Sequence, residues 1–246
     1  MTGRSLLPRE HGAYVQLLAP LVAAFVTFGV TPAAGLVALG ACVAFCANEP
    51  LLVVLGHRGK RALANDGARA RRRLFVLVPA AALAGISGLA LAPEALDLAV
   101  LVAAPALVVG ALAWKKRMHT LAGELVAAVA VVGASAPVAV AAGASDRVAL
   151  WLWAAWSLGY AFTVVAVHRV IARHKKRATY VDALAIVAAL AATGGALALG
   201  MYLALPLAGC SLVLLVAAPS AKHLRAIGFV LVAASAASVA LCAALA

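Results

Sequence analysis

Nine runs of about 20 mainly apolar residues, parted by short polar stretches, leave this chain a single class of fold. They lie near 12–31, 33–56, 74–92, 96–114, 119–142, 148–170, 181–203, 205–220 and 225–245, the eighth being short and bracketed by Pro206 and Pro219. A helix needs about 20 residues to cross the hydrocarbon of a bilayer, and its backbone amides must find their partners within the segment. The expected fold is therefore all-α: a polytopic membrane protein of about nine transmembrane helices, forming one domain over residues 1–246. With 66% hydrophobic and 11% charged residues, a soluble core does not account for the composition. Pro8-Arg9-Glu10-His11 precedes a first run too long for the apolar region of a cleaved signal peptide, so that run reads as a retained helix. The longest hydrophilic stretch, His57 to Arg73, reads as a loop.

The charges orient the bundle, because Lys and Arg near helix ends are retained on the cytoplasmic side. If every run crosses once, all of the 20 Lys and Arg residues except Arg147 fall on one side. This predicts a cytoplasmic N-terminus and a C-terminus outside. The net charge of +12 then reports topology and attraction to anionic lipid, and it implies no nucleic-acid partner. Cys42, Cys46, Cys210 and Cys242 all sit inside apolar runs and read as small buried hydrophobes.

An ionisable side chain within a membrane helix costs a few kcal/mol on insertion scales, so each one marks a candidate site. Glu10 and His11 open the first helix, Asn48-Glu49-Pro50 lies about two turns before the end of the second, Glu124 lies one turn into the fifth, and His168 ends the sixth. All fall on the cytoplasmic half. A His-Arg pair also occurs twice after Val-Val, in "VVLGHR" at 53–58 and "VVAVHR" at 164–169. Structural alternatives stand beside each reading. Glu10 favours the positive end of a helix dipole, Glu49 beside Pro50 suits a kink whose carboxylate is satisfied by an arginine, and the His-Arg pairs suit interfacial anchors.

The order of these segments resembles the UbiA superfamily of intramembrane prenyltransferases. Asn48-Glu49 at the end of the second helix is similar to that family's first motif. Trp114-Lys-Lys-Arg-Met-His-Thr-Leu-Ala-Gly-Glu124 is similar to its segment after the fourth helix, and Trp156 to Tyr160 with His168-Arg169 is similar to its second motif. The resemblance implies a UbiA-like bundle. It does not carry over the aspartates that hold magnesium there, because Glu49, Leu52, Gly56, Ala161 and His168 occupy those positions. One carboxylate among five is too few for a pair of ions that demand oxygen ligands, which argues against an ordinary aspartate-bound magnesium pair as cofactor.

"PREHGAY" at 8–14 and "NEPLLVVLGHRGKRA" at 48–62 resemble the YwiC-like family of bacterial membrane proteins, which implies the bacterial inner membrane as location. Combining the two resemblances, cations replace the metal site. Asn48, His57, Arg58, Arg61, Lys116, Arg117, Tyr160, Arg169 and Arg173 are the candidates for holding an amphipathic anion such as a prenyl or lipid diphosphate. Glu49, Glu124 and His168 are the catalytic candidates of a divergent prenyl- or lipid-transferase, if the protein is an enzyme, with Glu10 and His11 as further motif positions. Two alternatives remain open: a transporter or metal-handling protein with zinc or iron between Glu49, Glu124 and His168, and a non-catalytic membrane protein that binds lipid or a partner.

Overall fold

A computed structural model describes residues 6–7, 11–118, 120–174, 180–217 and 219–245, which form helices joined by short turns, with no strand among them. The helices are α1 (His11–Phe28), α2 (Pro32–Val54), α3 (Lys60–Leu91), α4 (Leu96–Trp114), α5 (Leu121–Gly133), α6 (Ser135–Ala141), α7 (Asp146–His174), α8 (Tyr180–Ala198), α9 (Leu205–Ala217) and α10 (Leu224–Leu245). Each of the nine apolar runs falls on helix. Six helical segments among the described residues are long and apolar enough to cross a membrane: Pro32–Val54, Lys60–Leu91, Pro93–Trp114, Leu121–Ala141, Asp146–Arg173 and Leu224–Leu245. Gly12–Phe28, Ala189–Ala198 and Tyr202–Ala217 are apolar but shorter.

Two boundaries differ from expectation. The stretch from Lys60 to Arg73 is the first part of α3 rather than a loop. Its alanines and arginines are strong helix formers, so hydrophilicity there marks a solvated helix. The fifth run is two helices with a break at Ala134, because Pro137 has no N–H to offer the Gly133 carbonyl. The short α6 is buried along its whole length.

Helix caps set the remaining boundaries. Thr31 precedes Pro32, accepts from the Ala34 amide at 3.1 Å and donates to the Ala141 carbonyl at 2.7 Å, so it starts α2 and ties it to α6. Thr120 accepts from the Gly123 amide at 3.1 Å and starts α5. At their far ends, α2, α4, α6 and α8 close with the paired 6→1 and 5→2 amide bonds of a Schellman motif. That motif places one residue in the left-handed region. It is Gly56, Gly143 and Gly200 in three of the helices, and Lys116, at φ 55°, in α4.

The closest packing is between α2 and α3. A Cβ on Gly88 would stand 2.7 Å from the Val37 amide nitrogen and 2.9 Å from the Ala33 carbonyl, and one on Gly40 would stand 2.8 Å from the Gly85 nitrogen. Small residues let the two backbones touch, which is the means of helix association where lipid is as apolar as the side chains. Carrying this register along the hairpin sets Val54 level with Arg71, so the first turns of α3 project past the end of α2. The main core joins α1, α2, α4 to α7, α9 and α10, and a second cluster joins α7 to α10.

Side-chain bonds show which helix ends meet. The α2–α3 turn bonds to the end of α4 through His57, α7 about two turns before its end meets the start of α5 through His168, and the end of α7 meets the end of α9 through Arg173. Lys60, Arg61, Arg69, Arg71 to Arg73 and Lys115 to Arg117 therefore collect at one end of the bundle. Glu94, Asp97, Asp146 and Arg147 lie at the other.

Two of the three glycines of the α2–α3 contact, Gly40 and Gly85, predict different tolerance to a methyl group. A Cβ at Gly40 meets backbone, whereas one at Gly85 has open space. Gly40→Ala should destabilise by about 1–3 kcal/mol and Gly85→Ala should not, as read by thermal unfolding in detergent. Equal loss from both would contradict the packing.

Candidate functional site at the basic end

Glu49 illustrates what a carboxylate must do inside an apolar bundle. Its side chain is 1% exposed, and Arg58 approaches it with two parallel bonds, Nε to Oε1 at 2.9 Å and Nη2 to Oε2 at 2.5 Å. Gly56 makes this possible by ending α2 with a left-handed residue, so that the chain reverses and Arg58 comes back over the last turns of the helix. The residue between them, His57, donates from Nε2 to the Ala113 carbonyl at 2.6 Å, at the end of α4. Tyr14 packs edge-on against Phe45, one turn before Glu49, with ring centroids 5.2 Å apart.

The second His-Arg pair is placed differently. Val167 stands where the first copy has Gly56, so α7 does not stop at the pair and continues to His174. His168 is thus inside a helix rather than at its end. Its Nδ1 lies 3.5 Å from Glu124 Oε2, and both side chains are a little over a third exposed. Arg169 is buried and engaged within the fold. Arg173 donates from Nη2 to the Leu215 carbonyl at 2.9 Å, near the end of α9, where carbonyls lack helical partners.

Between these two places lies the Lys115-Lys116-Arg117 turn, exposed along its length and held from both sides. The Arg117 carbonyl accepts from the Thr120 hydroxyl at 2.8 Å, and a Cβ on Gly123 would stand 2.5 Å from the same oxygen. The turn is therefore seated on the first turn of α5, which also carries Glu124. None of the ion pairs formed among the described residues, Glu49 with Arg58, Asp66 with Arg69 and Glu124 with His168, involves these three cations or Arg71 to Arg73.

Of the residues singled out in the sequence, the fold joins Glu49 to Arg58 and Glu124 to His168, and brings His57 against the end of α4, just before the turn that holds Lys116 and Arg117. Asn48 and Arg61 are exposed. Tyr160 is deep in the bundle, its hydroxyl 3.0 Å from both the Val15 carbonyl and the Ser235 hydroxyl. Glu10 lies outside the described residues, and His11 opens α1. No group of three His, Cys, Asp or Glu side chains placed to hold a metal ion occurs among the described residues. Two apolar cavities lie away from this end, one between α2, α3, α4 and α6, the other near the opposite end. Thr120 and Gly123 were not among the candidates; a Thr three residues before a Gly at the start of an apolar run is the cap signal that marks them.

The Glu49–Arg58 pair predicts an asymmetry between its halves. Arg58→Gln strands a carboxylate with no exposure, whereas Glu49→Gln leaves an arginine that keeps access to water. Thermal unfolding in detergent should show a loss of about 3–5 kcal/mol for Arg58→Gln and a clearly smaller loss for Glu49→Gln. The reverse order would contradict the burial of the pair.

No curated protein matches the chain, and no solved structure does. A family model described as YwiC-like protein matches residues 7–140, which contain the Glu49–Arg58 pair, the Lys115–Arg117 turn and Glu124. The match takes in more than half of the chain, which therefore belongs to the YwiC-like family.

Proposed function

We propose that the chain is a nine-pass protein of the bacterial inner membrane, its N-terminus cytoplasmic, that holds the anionic head group of an amphipathic molecule at the basic end of its bundle. The apolar tail lies along the helices. The observation that carries this reading is Lys116. Four helices of the described residues, α1, α2, α6 and α8, close with glycine in the left-handed position, and one, α4, closes with lysine. A side chain there costs about 1–2 kcal/mol relative to a right-handed conformation, and a cost of that kind is retained where the side chain has a task. Lys116 stands between two further cations, none of the three is in an ion pair among the described residues, and the turn they form is seated on the first turn of α5, which carries Glu124.

The roles divide accordingly. Lys116 and Arg117, with Arg61 at the same end of the bundle, meet the anion; arginine supplies a fork of donors and lysine a mobile charge. Glu124 and His168 are the partners able to exchange a proton with a bound group, since both are accessible and in contact. Glu49, Arg58 and His57 hold the turn in place, and Arg173 caps α9. The UbiA-like order of motifs suits a divergent prenyl- or lipid-transferase built on this arrangement, with the Glu124–His168 pair in place of the metal-holding aspartates.

Native mass spectrometry of gently solubilised protein tests the reading. An anionic amphiphile should co-purify, and the Lys116→Gln/Arg117→Gln variant should lower its occupancy at least about fivefold. Equal occupancy in the variant, or a neutral ligand, would overturn it. Lys116→Gly separates task from conformation: thermal unfolding should show a gain of about 1 kcal/mol while ligand occupancy falls.

A further inference from the structure

The contact of α1, α7 and α10 carries a line of polar side chains that the basic end does not use. On α10, Ser235, Ser238 and Cys242 recur at a spacing that puts them on one helical face. On α7, Trp156 and Tyr160 stack one turn apart, their ring centroids separated by 5.7 Å. Two contacts fix the register. The Tyr160 hydroxyl meets Ser235 at 3.0 Å, and the Thr27 hydroxyl meets the Cys242 sulfur at 3.2 Å.

Because the Tyr160 hydroxyl also meets the Val15 carbonyl, and Leu152 lines one cavity with Thr27 and Cys242, α1 and α10 run parallel and α7 antiparallel to both. One turn from the Tyr160–Ser235 contact, away from the basic end, Trp156 therefore comes level with Ser238. Both residues have no exposure. Neither Trp156 Nε1 nor Ser238 Oγ has a hydrogen-bond partner among the described residues. Ser238 shares this with Ser157, the neighbour of Trp156 on α7, whereas Ser211, Thr193 and Ser235 each donate to a carbonyl one turn back in their own helix. Buried donors are almost always satisfied, by protein or by an ordered water, and lipid supplies neither.

One turn further from the basic end, Thr27 and Cys242 line a cavity of about 250 Å³, bounded also by Phe28, Trp151, Leu152 and Met201. In the other direction the polar line stops at Tyr160. Thr163, the next polar residue of α7, donates to the Tyr160 carbonyl at 2.8 Å, and Ala166 and Val170 beyond it are packed in the second apolar cluster.

We propose that water enters from this cavity and is held between Trp156 Nε1 and Ser238 Oγ. The seam between α1, α7 and α10 is then a hydrated half-channel, open at the end opposite the basic residues and closed at the Tyr160 hydroxyl. A buried water needs two to four polar partners, and the indole N–H and the serine hydroxyl supply the first two. The proposal stands apart from the anion site, since it uses no residue of the basic end.

Silver ions, which match water in size and react with thiols that water reaches, test it on the full chain in lipid vesicles with silver on both faces. Protection from later maleimide labelling is read by mass spectrometry for Ser238→Cys, with native Cys210 as the internal reference. The introduced thiol and Cys242 should be protected at least about tenfold faster than Cys210. Protection at the Cys210 rate would overturn the proposal. Ser238→Ala gives a second reading that needs no new thiol. It should lower the Tm because the water loses a partner, whereas an unchanged or raised Tm means a dry site and overturns the proposal.

Discussion

A carboxylate placed where lipid cannot solvate it determines much of this architecture. Glu49 needs a partner, and Arg58 reaches it only because α2 stops at Gly56 and the chain doubles back. That reversal brings His57 onto the last carbonyls of α4 and starts α3 at Lys60. A single buried ion pair thus links the α2–α3 hairpin to α4 and sets the height at which the Lys115–Arg117 turn emerges. Such a pair contributes little over an apolar substitute, but losing one half of it is costly, so it acts as a geometric lock more than as a source of stability.

The cations of the basic end divide by what they touch. Arg58 neutralises a carboxylate, while His57 and Arg173 complete the hydrogen bonding of helix ends, a service that backbone carbonyls require in a bilayer. Lys115, Lys116, Arg117 and Arg71 to Arg73 remain exposed. The position of each cation therefore matters more than the formal charge of +12.

Helical segments were legible from the chain because apolar length is a direct physical requirement of a bilayer. The bounds of α4, Leu96 to Trp114, follow from where that length runs out. Charge alone does not separate a loop from a solvated helix in the first turns of α3, where "KRALANDGARARRR" is rich in helix formers. The likeness of "VVLGHR" and "VVAVHR" concealed the difference that matters, Gly56 against Val167, one ending a helix and the other continuing it. Pairing Glu49 with an arginine was among the readings the sequence allows, but the identity of that arginine depends on a reversal that apolar periodicity does not encode. The polar face of α10 was visible as the spacing of Ser235, Ser238 and Cys242, and became informative only once Tyr160 and Trp156 stood opposite it.

Two ends of unlike character follow: a cationic end built on the Glu49–Arg58 lock, and an opposite end with an apolar cavity floored by Thr27 and Cys242. In the proposed function the first of these receives an anionic head group. An electron cryomicroscopy map of the protein in nanodiscs of anionic lipid tests it most directly. The account predicts elongated density whose head group lies against Lys116 and Arg117, beside Glu124 and His168, with its tail between helices. A map in which those side chains face only solvent, or in which the head group of bound lipid lies at the opposite end, would contradict it.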